Sequence, residues 1–225
     1  LRPLVGRFPV ESGDRRMSSA NTSMAFVVIS NSNKAVTIDL WQTIVLDRPQ
    51  LGVVRSALRI DGILRVLEKQ GMFIDREDVE RAYLRNSEEH WKMQHDSLDQ
   101  SFDNQIKAFL NQIRPELACE LDGVALRLIT ERYARPFLAY PPVLTPGTRE
   151  VLDILKRCGY RMALISNTGM TPGHMFRDYL VEQGIAHYFE AWLFSDEVRL
   201  SKPAPAIFHQ ALTLLGATAS SAVHV

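Results

Sequence analysis

The sequence has no surplus of charge of either sign. Lys and Arg together number 26, and so do Asp and Glu. A balanced chain carries no overall field that would draw it to nucleic acid or to an anionic membrane surface. Long apolar runs are missing as well, because the longest, such as residues 25–29, are far too short to cross a bilayer. We therefore expect neither nucleic acid nor a membrane as a partner.

Cysteine is scarce: the 225 residues contain two, Cys119 and Cys158, which lie far apart and form no CxxC spacing. This usage indicates a reduced, cytoplasmic setting, without a disulfide framework and without a cysteine metal site. The six histidines show no ligand spacing either. What remains is the composition of an ordinary globular protein, with 46% hydrophobic and 23% charged residues.

Residues 1–33 differ from the rest of the chain. They begin with Leu1 and contain a pair of arginines and a run rich in Ser and Asn, with few periodic apolar positions. Their apolar centre is too short for a signal peptide. We predict a weakly ordered extension here, with Met17 and Met24 as candidate starts of translation.

Short apolar runs predict the strands of a buried sheet. The first run is residues 35–38, and similar runs follow at residues 160–165, 191–194 and 222–225. Amphipathic helical patterns separate the last three runs. Strands and helices that alternate in this way predict a parallel sheet with right-handed crossovers, the doubly wound α/β fold.

Four amphipathic helices with no strand signal between them lie within residues 50–140. The fourth is predicted to run from Leu117 to Tyr133. A set of this kind packs as a small bundle of its own. We therefore predict a core domain formed by residues 34–49 and 141–225, with a four-helix cap domain inserted as residues 50–140.

A polar residue follows each of the first three predicted strands. Asp39 ends the first, Ser166 and Asn167 end the second, and Asp196 ends the third, with Lys202 shortly after. Each could serve only as a local cap or turn residue. Because the carboxyl ends of parallel strands meet at one edge of a sheet, we expect these groups to face one pocket. A carboxylate nucleophile, a hydroxyl and a lysine there could form an ester of Asp39 and hold developing negative charge.

Three stretches resemble, in order, the first three motifs of the haloacid dehalogenase (HAD) superfamily: VTIDLWQTI, ALISNTG and FSDEVRLSKPAPAIF. The helical insertion is similar to the cap of the best-known subfamily. The resemblance covers residues 35–225. It implies a Rossmann-like core, a hydrolase activity and a small-molecule substrate.

The resemblance also implies roles for individual residues. Asp39 would be the nucleophile, Ser166 and the backbone at Asn167 would bind the transferred group, and Lys202 would steady that group and Asp39. Asp39 and the main-chain carbonyl of Trp41 would be magnesium ligands. The candidate substrate contacts are Asn167, Thr43 and Trp41, with Arg55 and Arg59 as candidate pocket liners.

Two residues depart from the pattern of the family's phosphatases. Trp41 stands where those enzymes carry a second Asp, the general acid for the leaving alcohol, and Gln42 stands where glycine is usual. Dehalogenases of the family have an aromatic residue at the first position and need no acid, because halide leaves unprotonated.

Three functions remain open at this point. The first is a magnesium-dependent phosphatase of a small phosphorylated metabolite. The second is a 2-haloacid dehalogenase that works without metal, and the third is a non-catalytic binding protein that keeps the fold. The acidic loop that completes the metal site in the family would follow Val225. We therefore expect the chain ending at Val225 to fold poorly, to bind magnesium weakly and to lack magnesium-dependent phosphatase activity, and a longer chain to regain that binding and activity.

Overall fold

The computed structural model describes residues 34–225 of the chain. The extension that we predict over residues 1–33 lies outside the described residues. The strands are β1 (Ala35–Ile38), β2 (Val45–Leu46), β3 (Val143–Leu144), β4 (Arg161–Ser166), β5 (Ala191–Phe194) and β6 (Ala222–His224). The helices are α1 (Pro49–Lys69), α2 (Arg76–His95), α3 (Phe102–Ile113), α4 (Leu117–Glu120), α5 (Gly123–Ala134), α6 (Pro136–Ala139), α7 (Thr148–Arg157), α8 (Gly173–Glu182), α9 (Ser195–Val198) and α10 (Pro205–Leu214).

Four strands form one parallel sheet in the order β5-β4-β1-β6. All four residues of β1 are buried, as expected of a strand that is covered on both faces. Alternate residues of the sheet enter two different clusters: Val36 and Leu164 pack with α7 and α8, whereas Ala35 and Ala163 pack with α10. Helices therefore cover both faces of the sheet, and the predicted doubly wound α/β fold is confirmed.

The helices α1 to α6 are inserted between β2 and β3, which pair antiparallel with Val45 opposite Leu144. These two short strands were not predicted; they hold together the two chain segments that lead into and out of the insertion. The insertion has a hydrophobic cluster of its own, whose fully buried members include Leu67, Phe109 and Tyr133. The division into a core and a cap domain stays a prediction.

One helix boundary was predicted wrongly. The helix expected from Leu117 to Tyr133 is two helices, α4 and α5, because Leu121 is extended with φ −85° and ψ 136°. Asp122 then begins the second helix, since its side chain accepts a hydrogen bond from the Ala125 amide at 2.7 Å. Among residues 34–225, no helix has the length and apolar character needed to cross a membrane.

Candidate active site

The end of β1 brings a carboxylate and an ammonium group together. Asp39 follows β1, and Lys202 Nζ lies 2.5 Å from its Oδ1 atom. The amide of Leu40 donates to the same oxygen at 2.7 Å. The Asp39 side chain is 31% exposed, and its Oδ2 atom accepts no hydrogen bond from any described residue. One carboxylate oxygen is thus fixed in place and the other is free to react or to bind a ligand.

Lys202 is held in a partly dry environment, with its side chain 16% exposed. Burial lowers the pKa of the Lys202 ammonium from its usual value, while the hydrogen bond and negative charge of Asp39 act in the opposite direction. The burial effect is the larger of the two. Lys202 therefore loses its positive charge at a lower pH than a solvent-exposed lysine does.

The side chain of Asn167 holds the backbone of Lys202. Asn167 Nδ2 donates to the Lys202 carbonyl at 2.9 Å, and the Lys202 amide donates to Asn167 Oδ1 at 2.7 Å. These two hydrogen bonds join the Asn167 side chain to both backbone polar groups of Lys202 and so fix the backbone at the lysine. The Asn167 side chain is therefore engaged within the protein, and only its backbone is left for the ligand contact that we predicted.

Ser166 lies at the same sheet edge as Asp39. In the pairing of β1 with β4, Ile38 is opposite Leu164. Asp39 directly follows β1 and Ser166 is the last residue of β4, so both lie at the carboxyl edge of the sheet. The Ser166 side chain is fully buried, and its Oγ atom donates to the Asn167 carbonyl at 3.3 Å. The structure thus brings Ser166, Asn167, Lys202 and Asp39 to one edge, as the sequence predicted.

The turn after Asp39 has a strained residue at its centre. Gln42 has φ +59°, in the left-handed region that glycine adopts most easily. Gln42 donates to the Val45 carbonyl at 2.7 Å, and Val45 donates to the Leu40 carbonyl at 3.0 Å. The Trp41 carbonyl accepts none of the hydrogen bonds of this turn, so it can bind a ligand.

Trp41 and Thr43 leave the turn in different directions. The Trp41 ring packs edge-on against Phe137 and Phe176, with centroids 6.3 and 5.5 Å away. Its ring is therefore part of an aromatic cluster beside Asp39 and provides no acidic proton. Thr43 lines a mainly apolar cavity of about 170 Å³ together with Ile38, against α7. Thr43 has no hydrogen bond to Asp39 or Lys202 within the described chain.

The two arginines that we predicted as pocket liners are buried. Arg55 pairs with Asp47. Arg59 donates to three neutral oxygens, of Tyr133, Tyr83 and Thr171, at 2.9, 3.0 and 2.9 Å. With exposures of 4% and 5%, neither arginine presents its charge to solvent in this structure. Arg59 instead joins the insertion to the loop after β4.

A second group of residues at this edge was missed by the sequence analysis. His90 Nε2 lies 2.9 Å from the Thr168 carbonyl, and the Gln94 side-chain amide donates to the same carbonyl. Gln94 also donates to Asp99 Oδ2 at 2.9 Å. No local signal predicts this cluster, because the two partners His90 and Thr168 are 78 residues apart in the chain.

Magnesium can be tested against the groups that are present. The Asp39 carboxylate and the Trp41 carbonyl are hard oxygen donors. Magnesium in proteins is commonly held by one or two carboxylates, with water and substrate phosphate completing the coordination. Within residues 34–225 no cluster of three acidic, histidine or cysteine side chains is placed to hold a metal. The two donors are of the type that magnesium binds, and water or substrate would have to supply most of its ligands.

One protein family and several curated proteins resemble this chain in sequence. A family model described as haloacid dehalogenase-like hydrolase matches residues 33–225. The chain is 33% identical over 127 residues to the glyceraldehyde 3-phosphate phosphatase of Methanothermobacter thermautotrophicus, covering 56% of this chain and 51% of that protein. It is 34% identical over 99 residues to the phosphoserine phosphatase of Thermus thermophilus, covering 44% and 38%. The chain thus spans about half, or less, of the length of these curated relatives.

Solved structures resemble the fold. The 2-haloacid dehalogenase of Pseudomonas syringae pv. Tomato has a TM-score of 0.59 at 24% identity, covering 85% of this chain and 76% of that one. The HAD-hydrolase YfnB of Bacillus subtilis, solved with bound magnesium, has a TM-score of 0.50 at 14% identity, covering 86% and 77%. At these identities the likeness concerns the fold alone.

Proposed function

The chain belongs to the haloacid dehalogenase-like hydrolase family, and we propose that its complete gene product is a phosphatase of a small phosphorylated metabolite. The observation that carries this proposal is the pairing of Asp39 with Lys202 at the carboxyl end of β1, where Nζ lies 2.5 Å from Oδ1. Two curated relatives that are named phosphatases add support.

The chemistry that we propose starts at Asp39 Oδ2. This oxygen forms a bond to phosphorus while the bond from phosphorus to the leaving alkoxide breaks. The alkoxide takes its proton from solvent water, because Trp41 offers none. A second water then attacks the phosphorus of the aspartyl phosphate, which releases inorganic phosphate and restores the carboxylate.

Lys202, Ser166 and the backbone at Asn167 would hold the phosphoryl oxygens. Asn167 holds the backbone of Lys202 and Asp39 holds its ammonium group. The Lys202 side chain therefore moves little. Donors that are already in place stabilise a highly charged group more than mobile donors do. Asp39 and the Trp41 carbonyl would hold magnesium, which when bound would neutralise part of the negative charge on the phosphoryl group.

Trp41 keeps a second candidate function open, that of a 2-haloacid dehalogenase. In that reaction Asp39 Oδ2 bonds to the carbon that carries the halogen while the carbon–halogen bond breaks, and halide leaves without a proton. The aromatic cluster of Trp41, Phe137 and Phe176 beside Asp39 suits the haloalkyl part of such a substrate and a leaving group that needs no proton.

One experiment separates these functions. The complete gene product is assayed with p-nitrophenyl phosphate, with and without magnesium, and with 2-chloropropionate for chloride release. We expect magnesium-dependent phosphate release, which Asp39→Asn abolishes and Asp178→Asn, on the exposed surface of α8, leaves intact. Chloride release without metal would instead support the dehalogenase function. A folded protein that acts on neither substrate would support the function of a non-catalytic binding protein.

A further inference from the structure

The end of helix α2 lies against the loop that follows β4. His90 and Asp99 are buried, with exposures of 4% and 7%, and both contact Gln94. The Gln94 side-chain amide donates to the carbonyl of Thr168, and His90 Nε2 lies 2.9 Å from the same carbonyl. Thr168 is the residue directly after Asn167, so α2 bonds to the loop next to the expected anion-binding residues.

The same end of α2 also contacts the segment that carries Lys202. Ser201 Oγ donates to the Gln94 main-chain carbonyl at 2.8 Å and to the Leu98 carbonyl at 3.1 Å. Gln94 therefore touches one loop with its side chain and the other with its backbone. These two loops are joined to each other by the hydrogen bonds between Asn167 and Lys202.

We propose that Gln94 is a positioning residue, which sets the distance between the loop of Ser166 and Asn167 and the segment of Lys202. The inference rests on the proposed function, because its catalytic consequence requires that these loops bind the transferred phosphoryl group. Gln94 touches none of the reacting atoms. It acts through Thr168 and Ser201, the chain neighbours of Asn167 and Lys202.

A small shift of these loops is expected to matter. Lys202 must reach Asp39 and the phosphoryl oxygens at once, so it tolerates little displacement. A misplacement of about 1 Å at a site of this kind can cost roughly a hundredfold in rate. The contact of Gln94 with Thr168 would therefore make the rate of the proposed reaction depend on how the helical insertion packs.

The test replaces Gln94 by Met in the complete gene product. Met has similar length and no hydrogen-bond donor, so Gln94→Met removes the side-chain hydrogen bonds to Thr168 and Asp99 and keeps the backbone contact to Ser201. Gln112→Met is the matched control, because Gln112 is also half-buried in the insertion and donates to Glu89 across two helices without touching the core loops. Three experiments are needed: steady-state kinetics with p-nitrophenyl phosphate for kcat and KM, calorimetry for the Kd of inorganic phosphate, and amide hydrogen exchange of residues 167–171.

We expect Gln94→Met to lower kcat by about ten- to a hundredfold and to raise the Kd of inorganic phosphate. Amide exchange of residues 167–171 accelerates in Gln94→Met and is unchanged in Gln112→Met. A merely structural role would reduce the folded fraction and leave the phosphate Kd of the folded protein unchanged. Equal effects of the two variants on kcat and on phosphate Kd would overturn the proposal.

Two further results keep the inference separate from the proposed function. If the wild type shows no turnover but exchange at residues 167–171 still accelerates in Gln94→Met, the loop positioning is supported and the phosphatase proposal fails. If Gln94→Met does not fold, Ser201→Ala serves instead, because it removes one hydroxyl that bonds to the Gln94 carbonyl. Unchanged kcat and phosphate Kd in Ser201→Ala would then contradict the proposal.

Discussion

Two carboxylates follow two strands of the same sheet, Asp39 after β1 and Asp196 after β5, and their surroundings are opposite. Asp39 is 31% exposed and pairs with a cation, Lys202. Asp196 is 6% exposed, and its partners are neutral: Thr168 Oγ1 donates at 2.9 Å and the Gly173 amide donates to both carboxylate oxygens at 3.2 Å. The same side chain at equivalent strand ends is thus open to reaction in one place and enclosed in the other.

The enclosed carboxylate has a structural task. Gly173 is the first residue of α8, whose N-terminal amides favour a negative charge. Burial raises the pKa of Asp196, and the hydrogen bonds from Gly173 and Thr168 oppose that rise. A Cβ atom at Gly173 would lie 2.6 Å from the Cβ of Phe194, so the region is packed closely enough to keep ligands out. Solvent access, more than residue type, therefore distinguishes the two strand ends.

The largest expected difference between the two ends is in catalysis. We expect Asp39→Asn to lower kcat/KM of the complete gene product by on the order of a thousandfold or more, because the amide is not a nucleophile. It should fold normally, since Asn keeps an oxygen that can accept from Leu40 and Lys202. Asp196→Asn should keep kcat/KM within the same order of magnitude as the wild type. Steady-state kinetics with p-nitrophenyl phosphate measure both values of kcat/KM. A comparable loss in the two variants would show that Asp39 is no more important for catalysis than Asp196.

The second prediction concerns the alkaline limb of the pH–rate profile. The pKa of Lys202 is lowered by burial, so as the pH rises its positive charge is lost at a lower pH than that of a solvent-exposed lysine. We expect kcat/KM to fall tenfold per pH unit above that pKa, as for loss of one essential proton. Lys202→Arg should remove the limb, because arginine stays protonated. Asp196→Asn should leave the limb in place.

The third prediction concerns stability at the enclosed end. Asp196→Ala leaves the Gly173 amide without an acceptor and the Thr168 hydroxyl with Ser195 Oγ, 3.1 Å away, as its side-chain acceptor. An unsatisfied buried donor costs about 1–3 kcal/mol. We expect a loss of that size in the free energy of unfolding in urea, with the matched change Asp178→Ala on the exposed face of α8 nearly neutral. A loss in Asp196→Ala no larger than that of the control would show that the enclosed carboxylate does not support α8.

The sequence predicted the open end better than the enclosed end. Asp39, Ser166 and Lys202 could be placed at one edge because strand period and helix alternation define a parallel sheet, whose carboxyl ends coincide. Asp196 was placed at that edge as well. Its enclosure could not be predicted, since it depends on Gly173 and Thr168 approaching from another strand end.

Contacts between the insertion and the core were also beyond the sequence analysis. The patterns of α1 and α2 predicted helices from local spacing, but not that Arg59 would be buried against Thr171 or that Gln94 would bond to Thr168. Such contacts depend on how the inserted helices pack against the loops of the sheet, for which local periodicity carries no signal. The break between α4 and α5 was missed for a different reason: Asp122 is a capping residue inside an uninterrupted apolar pattern.

The smallest expected effect is on stability, and we expect it to be the same near both strand ends. Gln42, in the turn after β1, and Arg199, after α9, have φ values of +59° and +62°. Both side chains are exposed, so little besides backbone strain distinguishes them from glycine. The left-handed conformation costs about 1–2 kcal/mol in residues with a Cβ atom, and the greater chain entropy of unfolded glycine offsets part of that gain. We therefore expect Gln42→Gly and Arg199→Gly each to raise the free energy of unfolding by about 0.5–1 kcal/mol. Urea unfolding measures both, and Gln42→Ala and Arg199→Ala, which keep the strain, should bring no such gain. A gain at one position and a loss at the other would mean that one side chain contributes a stabilising contact, and the two turns would then differ as their carboxylates do.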